Sequence, residues 1–182
     1  RSRKALNSPP YMLCLNVIAN CYSTKGNFDR VIELHEQKIK VAQEINNKRE
    51  TILSLNLIGY NYLDKGDLEK ALTYMEESLA LYDENVERGG DEIGGEILVI
   101  GLLLGNLFEL FIAKRDFEQA RIYFQRLDSL PIKTKRDELY NRLYRALLLK
   151  GSQRAYDRGK AEEILKQVVS EGIISIDITY MA

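Results

Sequence analysis

Residues 55–72 read Leu55-Asn56-Leu57-Ile58-Gly59-Tyr60-Asn61-Tyr62-Leu63-Asp64-Lys65-Gly66-Asp67-Leu68-Glu69-Lys70-Ala71-Leu72. Within them Leu55, Ile58, Gly59, Tyr62, Gly66, Asp67 and Ala71 form a template that occurs 40 residues earlier as Leu15, Ile18, Ala19, Tyr22, Gly26, Asn27 and Val31. Displaced by 49 it occurs again as Leu104, Leu107, Phe108, Phe111, Arg115, Asp116 and Ala120. The first four positions of each set fall at i, i+3, i+4 and i+7, one face of an α-helix. A breaker and a second helical pattern follow each time. A helix pair repeated at a near-constant period predicts an all-α solenoid, in which each pair buries its apolar face on its neighbours.

The second helices carry core faces of their own: Phe28, Val31, Ile32, His35 and Ile39; then Leu68, Ala71, Leu72, Met75 and Leu79; then Phe117, Ala120, Phe124 and Leu127. Gly26 and Gly66 suit the left-handed conformation just past a helix end, and Asn27, Asp67 and Asp116 suit helix N-caps. Asp116 with Gln119 approximates a capping box. Ala19 or Gly59 facing a small residue lets two backbones approach closely, whereas Phe108 in the same place requires the third hairpin to splay or repack. Four pairs are expected, over residues 11–47, 50–85, 96–130 and 133–171, after a lead-in at 1–10. A Gly-rich insertion at 86–95 is expected as a mobile loop, and Pro131 ends the third pair because it cannot continue a helix. In the fourth pair Ala161, Ile164, Leu165 and Val168 form the second core face, and its helix is expected to start near or before Asp157. Residues 172–182 read as the start of a further helix or a cap. The chain opens without Met and ends in that apolar stretch, so we expect a fragment of a longer protein.

The Leu-Ile-Gly-Tyr run on the first helix, Gly66-Asp67 at the turn and Ala71 on the second resemble the tetratricopeptide-repeat family. Residues 11–171 carry the resemblance, most clearly in the second repeat. The period is longer than the usual 34 residues. It is similar to the variant in kinesin light chains, spindle-orientation adaptors and the sensor arrays of signalling ATPases and transcription regulators. The family implies a right-handed superhelix whose first helices line a concave groove.

With 182 residues, 45% hydrophobic and 29% charged, the chain has the composition of a globular domain. A net charge of −1 gives no excess of cations with which to neutralise a phosphate backbone, so nucleic acid is not expected as a direct ligand. Cys14 and Cys21, seven positions apart on one helix, cannot bridge each other. Read as buried thiols, they suit a reducing cytosol. Ile97 to Ala113 is nearly charge-free, but it is short for a membrane span and coincides with a first helix of the repeat, so a helix buried between hairpins is expected instead. His35 is the single histidine, lies on an apolar face and has no nucleophile placed beside it by spacing, so it reads as packed rather than catalytic. Gly159-Lys160-Ala161 lacks the flanking residues of a phosphate loop. Glu33, Glu36, Glu69, Glu76 and Glu77 read as solvated helix surface. No enzyme activity, cofactor or metal is expected.

Displacement by 40 and then 49 aligns three rows on the first helices: Leu13, Leu53 and Leu102; Asn16, Asn56 and Gly105; Asn20, Tyr60 and Glu109. Amides both donate and accept, so beside leucines they suit a peptide backbone or an amphipathic helix. The rows contain no cation, which disfavours capture of a C-terminal carboxylate. The expected function is a protein-interaction module that binds a protein or peptide in its groove; the alternative is a sensor or autoinhibitory array in a signalling protein or transcription regulator. Self-association through residues 172–182 is a further expectation.

Overall fold

The computed structural model describes residues 9–88, 97–131 and 134–171. The start of the lead-in, the glycines of the 86–95 insertion and the segment 172–182 lie outside them. The described residues form α1 (Pro9–Ser23), α2 (Phe28–Glu44), α3 (Lys48–Asp64), α4 (Leu68–Glu87), α5 (Ile97–Ala113), α6 (Phe117–Asp128), α7 (Lys135–Lys150) and α8 (Ala155–Ser170). No strand occurs among them. The chain divides into two compact units, the first ending at Asn106 within α5 and the second beginning at Leu107.

In the first unit the helices pack consecutively, α1 on α2, α2 on α3 and α3 on α4. The turns follow from their residues. Gly26 and Gly66 have φ of +69° and +80°, where a side chain would be strained. Asn27 accepts from the Arg30 amide at 3.3 Å, Asn47 from Glu50 at 3.1 Å and Asp67 from Lys70 at 3.2 Å, so each following helix begins with one of its free N–H groups satisfied. Leu15, Ala19, Val31 and Leu34 form the core of the first hairpin, with Tyr11 and Tyr22 packed against it. In the second hairpin Ile58, Ala71 and Met75 are fully buried.

Gly59 marks the closest approach between α3 and α4: a Cβ there would lie 2.7 Å from Met75 Cγ and 3.0 Å from the Ala71 carbonyl oxygen. Gly59→Ala is therefore expected to destabilise the chain by about 1–2 kcal/mol, overpacking outweighing the ~0.5–1 kcal/mol gained in helix propensity. The urea midpoint measures it, and a higher midpoint would mean that the hairpin yields at this point.

In the second unit Asp116 accepts from the Gln119 amide at 3.1 Å, as the template predicts. The reciprocal capping box stands elsewhere, at Thr134 and Asp137. Arg115 occupies the glycine position of the template and adopts φ of +59°, so the turn geometry is imposed on a residue that does not favour it. Phe108 repacks the third hairpin. Its buried ring lies 6.0 Å from Phe124 and 4.4 Å from Tyr144. The displacement of 49 is visible in packing too: Tyr62 stacks on Tyr74 at 5.6 Å in the first unit, and their equivalents Phe111 and Tyr123 stack at 5.4 Å in the second. α7 packs on α8, which begins at Ala155, upstream of Asp157.

Candidate functional site

The first helices present aliphatic side chains to solvent at matching register. Leu13 on α1 is 63% exposed and Leu102 on α5 is 41% exposed, with Leu53 of α3 half-buried between them in the repeat register. Asn20 is exposed and Tyr60 half-buried. These positions offer a ligand a row of apolar contacts with polar groups about two turns away: Asn20 stands seven positions from Leu13 on α1, as Tyr60 does from Leu53 on α3.

The amide row behaves differently from the sequence expectation. Asn56 is 0% exposed, and neither atom of its amide has a hydrogen-bond partner among the described residues, so it does not face an incoming ligand. Asn16 is half-buried and its Oδ1 accepts from Lys38 Nζ at 2.8 Å. Glu109 belongs to the second unit, where its carboxylate accepts from the Tyr144 hydroxyl at 2.8 Å. Gly105 is buried.

Lys38 is the residue that the sequence rows missed. It stands on α2, one turn past His35 and on the same face as Val31, and its side chain is only 2% exposed. Its ammonium lies 2.5 Å from Glu50 Oε2 in the first turn of α3 while it donates to Asn16 on α1. One buried cation therefore ties three helices together. The sequence carried a signal for it: a lysine at i+7 from Val31 and i+3 from His35, inside an otherwise apolar stripe. In the second repeat Ser78 occupies the equivalent position and donates instead to the Ile52 carbonyl at 2.8 Å, which accounts for Asn56 lacking the partner that Asn16 has.

His35 is buried beside this network, and Nδ1 has no partner among the described residues. Burial, and then the neighbouring charge of Lys38, push its pKa down to about 4. Cys14 and Cys21 were expected to be buried, yet both are exposed on α1, because the face they occupy is covered by no described neighbour. Among the described residues no group of three His, Cys, Asp or Glu side chains is placed to hold a metal ion. No described helix is long and apolar enough to cross a membrane. A half-open crevice of about 250 Å³ lies at the α2–α3 corner, where Lys48 Nζ donates to Asn85 Oδ1 of α4 at 3.3 Å across it.

A tetratricopeptide-repeat family model matches residues 10–84, the span of α1 to α4. The chain is also similar in fold to a crystal structure from Podosopora anserina, described as kinesin light chain nearly identical TPR-like repeats. The identity is 16% and the TM-score 0.55, over 97% of this chain and 80% of that one. No curated protein matches the chain.

Proposed function

Because residues 10–84 match the tetratricopeptide-repeat family, whose repeats mediate protein–protein interaction, we propose that this chain binds a peptide or an amphipathic helix of another protein along its first helices. The observation that carries the reading is the exposure of Leu13 and Leu102 at equivalent register on α1 and α5. Exposed aliphatics are unremarkable singly, but their recurrence on one face of successive first helices is what a contact surface repeated per hairpin requires. Asn20 and Tyr60 flank that face and supply polar contacts to a ligand backbone. Lys38 braces α1 and α3 from behind rather than meeting the ligand.

Selection of peptides from a display library against the full chain provides a ligand. Leu13→Asp and Leu102→Asp are each expected to weaken the selected peptide about tenfold, the loss of roughly 1.4 kcal/mol when an aliphatic contact becomes a buried charge. Ile122→Asp, an exposed position on the second helix α6, serves as the control and should leave affinity unchanged. Equal affinities for all three variants would place binding elsewhere.

A further inference from the structure

The second unit holds an open bowl of about 500 Å³ where the turn between α5 and α6 meets the end of α7. Phe117 and Leu148 give it an apolar wall, and Lys114, Arg115 and Arg121 bring three cations to it. Close packing fixes the wall: a Cβ at Gly151 would lie 2.2 Å from the Phe117 ring. The carboxylates at the bowl are already engaged. Asp116 accepts from the Gln119 amide at 3.1 Å, and Glu118 pairs with Arg121 at 3.4 Å. Beyond the rim Asp157 and Arg158 both bond to Ser152 and offset each other's charge. Arg115 is exposed and enters no ion pair among the described residues. It stands where the first two repeats have Gly26 and Gly66, and all three have positive φ, at +59°, +69° and +80°. Glycine takes that conformation without strain and arginine does not. The turn gains nothing from the substitution; the bowl gains a guanidinium.

We propose that the bowl binds one carboxylate of a partner protein, an acidic side chain with an aliphatic residue beside it. Charge decides the first half of that description. Three cations against two carboxylates leave a single positive charge, which one carboxylate neutralises. A phosphate dianion would leave negative charge in excess beside Asp116 and Glu118. A nucleic acid strand would bring a phosphate at every step to those carboxylates, in a chain whose net charge is −1. The guanidinium of Arg115 can give a carboxylate two parallel N–H donors. Phe117 and Leu148 decide the second half, because an acidic group seated on the cations brings its neighbouring side chain against them. The bowl shares no residue with the leucine row, and its test needs no ligand there.

The experiment titrates the isotope-labelled full chain, followed by heteronuclear NMR, with acetyl-Leu-Glu-amide, whose only charge is the carboxylate. Parallel titrations use acetyl-Leu-Gln-amide, inorganic phosphate and single-stranded oligothymidylate. The Glu peptide is expected to shift the amides of residues 114–121 and 151–152 saturably, with the other three probes binding there at least about tenfold more weakly. Arg115→Gly gives the turn the residue of the first two repeats and removes only the guanidinium; it should weaken the Glu peptide about tenfold. No saturable shift at these residues up to about 10 mM peptide would overturn the proposal. So would equal binding of the Gln peptide, tighter binding of phosphate or oligothymidylate, or an Arg115→Gly variant that binds as the wild type does.

Discussion

Lys38→Met is expected to lower the stability of the chain by about 2–4 kcal/mol, the cost of removing one partner from a buried ion pair. The ammonium is almost wholly buried, and without it Glu50 Oε2 loses its counter-charge and Asn16 Oδ1 its donor. Glu50 keeps some access to water, its side chain being 20% exposed, which holds the loss below the top of the range for such pairs. The surface pair Lys166–Glu162 is the contrast: both side chains are mainly exposed, and Lys166→Met should leave the urea midpoint essentially unchanged. Equilibrium urea unfolding decides between them. In a double-mutant cycle, Lys38→Met with Glu50→Gln should lose less than the two single losses combined, because the second change removes the charge that the first one strands. A Lys38→Met variant as stable as wild type would show that the three-helix bridge is not formed in solution.

Acid should destabilise the chain well above the carboxylate range. His35 titrates at about 4 when folded and near 6.5 when unfolded, so the unfolded chain takes up a proton that the folded one refuses. Its contribution is complete above pH 6.5, falls as the pH drops from about 6.5 to about 4, and is constant below that. The loss over this window amounts to about 3 kcal/mol, taking 1.36 kcal/mol per unit. Asp67, held low by the Lys70 amide and side chain, acts at more acid pH and does not overlap this window. His35→Met places at this position the residue that the second repeat has there, Met75, and should flatten stability between pH 4 and 6.5. A wild-type profile already flat over that interval would mean that His35 is hydrated in the folded protein.

The two effects also show what the sequence could and could not reveal. Turns were legible because they depend on local chemistry: Gly26, Gly66, Asn27, Asp67 and Asp116 act within a few residues of themselves. The core faces were legible because helical periodicity is a local property too. Phe108 was legible as a conflict only, since its resolution depends on Phe124 and on Tyr144 from a later helix. Lys38 was missed because a charge inside an apolar stripe is stabilised by groups 22 and 12 positions away, Asn16 and Glu50, which no periodicity reports. Asn56 misled for the complementary reason: it shares its register with Asn16, but the residue that would meet it changed from lysine to Ser78. Cys14 and Cys21 looked buried because α1 is apolar on nearly every side, and only the packing shows which of those sides is covered. Of the expected contact positions, Leu13, Asn16, Asn20, Leu53, Tyr60, Leu102 and Glu109 keep some exposure, although Asn16 and Glu109 are engaged by Lys38 and Tyr144, and Asn56 is buried.

If the first helices form the ligand-binding face, hydrogen–deuterium exchange of the full chain with and without the display-selected peptide will show added protection concentrated in α1, α3 and the Ile97–Asn106 part of α5, with α2, α4 and α6 little changed. Protection concentrated in the second helices, or in the crevice beside Lys48 and Asn85, would rule that face out.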